Sequence, residues 1–446
     1  MTRSPTHQAP LALSQRNSQL FAVCMWLVLW GIAVALTLTT VVKFTNHQGG
    51  DLHNFFYPAA QMLVTGEWRF MAPTTRGTFN THYLPVTFLL FVPLSQLPYL
   101  VAAAVWSIFS VVCLLLAVTL GARLVGERLQ TRIDSATLPT AAALTIGLLL
   151  SKILVDLNLG QIDLLLGLLL VLSAILLPHR SMQAGAVLAV VASFKIIGLL
   201  FLPWLLLRRA WRAAAALVVT YVFLWMVMIP WLGWGVASEY FAVMVSSDNN
   251  ATPPRFASET SIEPTSLSAT AGLQRMFAAW DMNPGIAIPL VFVSAVGLFA
   301  WYLYRRNNRP LFDRRINEDR SLDLTEFACI PAASIVFHTY SHNRHWCFAI
   351  LLFLILANLL IVPGPRRSRA LLLAVTSLVM LQQMRVQDAV GLGEVWDRFG
   401  GTGWVMLVVL LSVLWAVLRD DPSMRPQVPD HSTSSMNEAA CLATRD

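Results

Sequence analysis

An acidic residue, Asp51, occurs shortly after a long apolar run without charge (20–42). A carboxylate can take a proton from a hydroxyl group as that proton becomes acidic in the transition state. Behind Asp51, apolar and aromatic residues recur at helical spacing as far as Gly66. This pattern predicts a short helix that lies in the membrane interface and ends at the glycine. The alternative is a solvated aspartate before such a helix, with no chemical role.

A second set of polar residues lies inside apolar sequence. Asn158, Gln161 and Asp163 interrupt two apolar runs, and Lys195 lies in the middle of a later one. A charge at membrane depth costs several kcal/mol unless it is paired or faces water. One explanation is a polar cavity that binds an anionic headgroup. The other is a structural Asp163–Lys195 pair, or a lysine whose ammonium reaches the membrane surface.

Two further segments carry side chains that could hold a phosphate. Residues 338–346 contain three histidines and an arginine but no acidic ligand, which favours hydrogen-bond donors to phosphate over a metal site. Arg275 follows the Ser266-Leu267 pair, and its planar guanidinium also suits phosphate. The alternatives are an interfacial belt of amphipathic side chains and a solvated arginine. No metal and no cofactor are expected.

The elements that must position these residues are membrane spans. The chain has 446 residues and is 56% hydrophobic and 12% charged, whereas a soluble domain has about 25% charged residues. Apolar runs near the ~20 residues that cross a hydrocarbon core recur throughout. We predict twelve spans, at 20–42, 84–97, 100–121, 137–153, 161–177, 183–207, 213–233, 284–304, 324–340, 346–362, 370–384 and 402–418.

The first run is too long for a signal peptide and no cleavage site follows it, so we expect it to be retained. Residues 1–19 and 419–446 are predicted to be cytoplasmic tails of one transmembrane domain, 20–418. Three strongly basic loops then face the cytoplasm, as the positive-inside rule expects, whereas the loop with Arg123, Arg128 and Arg132 falls outside. The polar segments 43–83 and 234–283 and the histidine-rich turn share the non-cytoplasmic face. Because the basic residues set orientation, no nucleic acid is expected as a partner.

The order of these short signals resembles glycosyltransferase family 87, the polyprenyl-phosphate-mannose-dependent mannosyltransferases with the GT-C membrane fold. The resemblance extends from about Phe21 to Leu360. Leu84 stands where the family has a second proline, and Asp163 where it has an asparagine. The matching residues are Asp51, Tyr57, Ala59, Ala60, Gly66, Tyr83, Pro85, Asn158, Gly160, Gln161, Gly185, Lys195, Arg208, Arg209, Trp211, Arg212, Ser266, Leu267 and Arg275, with 338–346 as an approximate match.

The resemblance implies an all-α, polytopic GT-C-like bundle of about twelve transmembrane helices in the plasma membrane, with an interfacial helix in the first outer loop. It implies transfer of a hexose, mannose, from a polyprenyl phosphate to a glycolipid or glycan hydroxyl at the outer face, without metal and with inversion. Asp51 is then the catalytic base. The donor phosphate would be bound by Arg275, His342, Arg344 and Lys195. Substrate-binding positions would be His53, Tyr57, His82, Tyr83, Asn158, Gln161, Asp163, His338 and His345.

Two other classes of protein compete with this interpretation. A transporter or flippase of a lipid-linked or anionic solute would also use intramembrane Asp163 and Lys195. Transporters usually show paired repeats and broken helices, but the Asp51 and Asn158–Gln161 segments have no second copy in the sequence. A membrane scaffold without catalytic function would leave the intramembrane polar residues unexplained.

Overall fold

The fold is a bundle of helices. A computed structural model describes residues 9–46, 50–66, 85–129, 136–235, 238, 268–305, 320–337, 343–362 and 366–420. All regular structure within these residues is helical. The helices in chain order are α1 (Ala9–Asn46), α2 (Tyr57–Thr65), α3 (Val92–Ser95), α4 (Tyr99–Arg128), α5 (Thr137–Leu159), α6 (Asp163–Leu176), α7 (Ser181–Phe194), α8 (Phe201–Leu207), α9 (Trp211–Leu232), α10 (Ala269–Ala279), α11 (Ala287–Arg305), α12 (Arg320–Phe337), α13 (Ile350–Ile361), α14 (Arg366–Gln383), α15 (Val386–Ala389), α16 (Gly393–Arg398) and α17 (Gly401–Asp420).

Shorter helical turns precede several of these helices. A π turn (Leu52–Phe56) leads into α2. Segments of 3-10 helix lead into α3, α8, α11 and α13, at Pro85–Phe91, Ile196–Leu200, Pro284–Ile286 and Asn343–Ala349.

The length and composition of the helices fit a membrane protein. Among the described residues, five helices are long and apolar enough to cross a membrane, and six shorter apolar helices accompany them. Apolar side chains on the outside of the bundle, such as Leu27, Val219 and Phe292, are largely exposed, as they would be against lipid. The predicted all-α, multi-pass membrane class is confirmed. The count of about twelve spans stays a prediction.

Residues 84–97 were predicted to form the second span, and this prediction was wrong. In the structure the segment folds beside α2, because the Phe56 and Phe91 rings stack with centroids 4.6 Å apart. The Tyr57 hydroxyl donates a hydrogen bond to the Leu97 carbonyl at 2.7 Å. Both ends of the segment therefore stay close to the first loop.

Because residues 84–97 are not a span, α4 and α5 each run through the bundle in the direction opposite to the predicted one. α4 begins beside the first loop, where the Trp106 indole donates to the Gly160 carbonyl at 3.1 Å. Its 30 residues extend about 45 Å, at 1.5 Å per residue, so Arg123 and Arg128 lie at the far end of the bundle. α5 then returns to the first loop. We call the end with residues 50–66, 85–98 and 158–163 the junction end, and the other the arginine end.

The predicted single span over 183–207 was also wrong, because the chain reverses at Lys195. This residue has an extended backbone (φ −146°, ψ 137°) between α7 and the next 3-10 turn. A Cβ at Gly198 would collide with backbone atoms of Leu188 and Ala192, so the returning segment lies directly on α7. α7 and the following segment through α8 form a hairpin whose tip, Lys195, lies at the junction end.

The arginine end is fastened by a buried ion cluster. The Arg208 guanidinium, at the end of α8, is buried and forms an ion pair with Glu326 on α12. The Trp204 indole donates to the same carboxylate at 2.9 Å, and the Tyr302 hydroxyl on α11 donates to its other oxygen. This cluster anchors the hairpin at the end opposite Lys195.

Candidate active site at the α5–α6 junction

The α5–α6 connection brings Asp51 to the bundle. Gly160 ends α5 in a left-handed conformation (φ 66°), and Leu52 packs directly on it. A Cβ at Gly50 would lie 2.9 Å from the Leu159 carbonyl oxygen and 3.3 Å from that of Asn158. The Asp51 turn therefore packs directly on the Asn158–Gln161 segment. Asp51 itself is half-buried, and the helix behind it ends at Gly66 with φ 69°, as predicted.

Replacing Gly160 by alanine is expected to destabilise the junction and lower activity. An alanine there costs about 1–2 kcal/mol of backbone strain, and its Cβ would lie 2.5 Å from the Leu52 Cβ. Gly66→Ala is the matched control, since Gly66 has nearly the same φ (69°) but open space around it. We expect Gly160→Ala to lower the thermal denaturation temperature more than Gly66→Ala does. Equal losses would mean that contact with the Asp51 turn contributes nothing.

The second part of the junction is an ion pair. Lys195 Nζ lies 2.5 Å from Asp163 Oδ1, at the first residue of α6. The same ammonium lies 4.9 Å from the centre of the Phe348 ring, in the 3-10 segment before α13. His345 stacks on Phe348 with centroids 5.4 Å apart. The structure thus brings together three of the predicted site residues, Lys195, Asp163 and His345, around one aromatic ring.

A second lysine, which is not among the predicted site residues, lies on the other side of this 3-10 segment. Lys152 on α5 is buried, with Nζ 5.4 Å from the centre of the Trp346 ring. Asp156 lies one turn later on α5 and is also buried. An ionisable residue within a membrane span is itself a signal of function. Applied to the predicted span 137–153, this rule would have added Lys152 to the candidate residues. Two lysines and two aspartates therefore surround residues 345–348.

Other predicted site residues have structural contacts at the junction end. Gln161 is buried, and Asn158 is half-buried beneath the Asp51 turn. His53 and Tyr57 both pack edge-on against Tyr99, with centroids 4.6 and 5.6 Å apart. These two aromatic side chains hold the Asp51 turn against the start of α4.

Arg275 contacts backbone carbonyls of the 397–398 turn. On α10, its Nε donates to the Arg398 carbonyl at 2.6 Å and its Nη2 to the Asp397 carbonyl at 3.2 Å, at the end of α16. These contacts fasten the last part of the 234–283 segment to the 384–400 turn.

Four predicted residues lie outside the described part of the chain: His82, Tyr83, His338 and His342. Arg344 lies in the 3-10 segment before α13, but its side chain is not described. In the described ranges, no three His, Cys, Asp or Glu side chains group as they would around a metal ion. Metal independence stays a prediction. The described junction pairs the Asp163 carboxylate with Lys195 in a largely apolar bundle, and the Asp51 turn packs on the connection just before Asp163.

Comparison with known proteins bears on this chemistry. The model of glycosyltransferase family 87 matches residues 81–315, more than half of the chain. No match is found among curated protein sequences.

Two solved structures of ArnT from Cupriavidus metallidurans align with 89% of this chain at 15% identity. The apo form aligns over 77% of its own chain with a TM-score of 0.42, and the form bound to undecaprenyl phosphate over 78% with a TM-score of 0.40. The family match, rather than this structural likeness, bears on function.

Proposed function

Since the chain belongs to glycosyltransferase family 87, we propose that this membrane glycosyltransferase moves mannose from a polyprenyl phosphate to an acceptor hydroxyl at the outer membrane face. The observation that carries the proposal is the docking of the Asp51 turn on the α5–α6 connection, whose first helical residue, Asp163, pairs with Lys195. We propose on this basis that a base, Asp51, and a phosphate-binding cation, Lys195, belong to one site.

The proposed reaction is a direct displacement. The Asp51 carboxylate takes the proton from the acceptor hydroxyl, and the acceptor oxygen forms a bond to the anomeric carbon. The bond from that carbon to the phosphate oxygen breaks, and the electron pair leaves with the polyprenyl phosphate. Lys195 stabilises the charge that develops on this leaving group. Attack from the face opposite the phosphate inverts the configuration.

The remaining predicted residues divide between two roles. Arg344 and His342 belong to the segment that carries His345, so they keep the proposed role of phosphate donors. Arg275 fastens α10 to the 397–398 carbonyls, and we propose that it orders the long outer segment rather than touching phosphate.

The distribution of basic residues supports an outward-facing site. Arg123 and Arg128 end α4, and Arg208, Arg209 and Arg212 lie between α8 and α9, all at the arginine end. The positive-inside rule assigns this end to the cytoplasm. The junction end would then face outward, and the loop that begins with Arg123 and Arg128 would follow the rule.

One observation favours the alternative of a transporter or flippase. The chain is broken at Lys195 within an apolar bundle, and broken helices at membrane depth are typical of transporters. Such a protein would move the donor without consuming it.

Wild-type protein in proteoliposomes distinguishes the two functions. The liposomes contain polyprenyl-phosphate mannose labelled in the sugar, together with membrane lipids of the host. The proposal predicts label in a new product and an equal amount of released polyprenyl phosphate. Movement of intact donor between leaflets, with no new product, would replace it with the flippase.

A further inference from the structure

The Asp163–Lys195 pair has the properties of an exchangeable contact. We infer that the Asp163 carboxylate is an internal substitute for the donor phosphate: it holds the Lys195 ammonium before the donor binds and releases it when the lipid phosphate arrives. This inference rests on the proposed function, and it assigns Asp163 a role in setting donor affinity.

The first support is the unequal exposure of the two partners. The Asp163 side chain is 0% exposed and the Lys195 side chain 15% exposed. An anion that approaches the pair therefore reaches the lysine side chain before the buried carboxylate. Lys195 also lies at the tip of a hairpin with extended backbone rather than inside a helix.

The second support is the incomplete bonding of the carboxylate. Asp163 Oδ1 contacts Lys195, but Oδ2 is buried and accepts no hydrogen bond within the described residues. Buried polar atoms are nearly always satisfied, so one that is not suggests a further partner. Asp163 is also in the first turn of α6, a helix of 14 residues. The positive end of the helix dipole favours the carboxylate there even after it loses the ammonium.

The third support concerns the kind of molecule that carries the phosphate. Ile196 and Leu200 follow Lys195 one helical turn apart, and both are exposed, at 56% and 45%. An apolar surface beside the ammonium suits a phosphate that carries a polyprenyl tail. A free phosphate would gain nothing from this surface.

Exchange of this kind lowers the apparent affinity for the donor. If the paired state dominates before binding, only the small fraction with a released ammonium can bind at once, and the dissociation constant rises in proportion. Removing the charge of Asp163 should remove this competition. It should also remove the ion pair of Lys195 until a phosphate binds.

The experiment compares Asp163→Asn with wild type in nanodiscs, using undecaprenyl phosphate as the probe. We expect the dissociation constant to fall by about tenfold in the variant. Without lipid, its denaturation temperature should be lower than that of wild type. Saturating undecaprenyl phosphate should raise that temperature more in the variant than in wild type.

Glu326→Gln is the matched control, because it breaks a buried ion pair at the arginine end. It should lower the denaturation temperature without changing the affinity for undecaprenyl phosphate. If Asp163→Asn does not fold, Asp163→Ser gives the same comparison.

Three results would overturn the inference. Equal or weaker lipid binding in the Asp163 variant would make the pair purely structural. Equal stabilisation of the variant by inorganic phosphate would remove the lipid as the source of the anion. Absence of undecaprenyl phosphate binding to wild type would overturn both this inference and the proposed donor class, whereas the first two results would leave the proposed function standing.

Discussion

Asp51→Asn is expected to lower sugar transfer by about a thousandfold, the scale that general-base catalysis supplies, while donor binding stays near wild type. Asparagine has nearly the same shape as aspartate but cannot accept the acceptor proton. The turn that carries the residue rests on Gly160 through Leu52, and the substitution leaves this contact in place. The measurement is the rate of label transfer from saturating polyprenyl-phosphate mannose, together with the dissociation constant of undecaprenyl phosphate.

Asp388→Asn is the control for this experiment. Asp388 is an exposed carboxylate at the same end of the bundle, where it pairs with Arg385 rather than with the junction. Its replacement should leave transfer unchanged. If Asp51→Asn retained full transfer, Asp51 would not be the base and the proposed mechanism would be wrong.

Lys195→Met is expected to lower transfer by about 10²–10³-fold, the usual loss when one group that stabilises developing charge is removed. Unlike Asp51→Asn, it should also weaken binding of undecaprenyl phosphate, because the ammonium contacts phosphate before and during the reaction. Lys43→Met is the control, since Lys43 is an exposed cation near the end of α1. It should change neither quantity.

A second variant distinguishes a direct role of Lys195 in sugar transfer from a role in the stability of the fold. Lys195→Met leaves the Asp163 carboxylate buried without its cation, which typically destabilises a protein by about 3–5 kcal/mol. The double variant Lys195→Met/Asp163→Asn removes both charges and should regain much of the lost denaturation temperature. Transfer should stay low in the double variant. Recovery of transfer along with stability would show that Lys195 acts only through the fold.

Hydropathy predicted the class of the fold but not the path of the chain. A window of apolar residues measures only how long an apolar stretch is, so the shorter stretch 84–97 was counted as a short span and 183–207 as one span. The first folds beside α2 through stacked phenylalanines, and the second reverses at Lys195. The first depends on contacts between segments well separated in sequence, whereas the second depends on the extended backbone at Lys195 and the close packing of Gly198 on α7. The sequence did contain a sign that 84–97 is not a span. Counting it as one placed Arg123 and Arg128 on the outer side, against the positive-inside rule.

The positions of the candidate site residues were predictable where local sequence encodes them. Residue type and spacing alone indicate Asp51, the Asn158–Gln161 element and Lys195, and these residues meet at one end of the bundle. The role of Gly160 depends on Leu52, which lies more than a hundred residues earlier in the chain. The backbone carbonyls that engage Arg275 lie more than a hundred residues after it. No local pattern indicates partners at such distances.

The central claim is that the junction of Asp51, Asp163 and Lys195 is the donor site of this glycosyltransferase. A cryo-electron microscopy structure of the wild-type protein in nanodiscs with undecaprenyl phosphate tests it most directly. The account predicts phosphate density within hydrogen-bonding distance of Lys195 Nζ, with the lipid chain leaving past Ile196 and Leu200. Phosphate density at the arginine end, beside Arg208, with the Asp163–Lys195 pair unchanged, would contradict it.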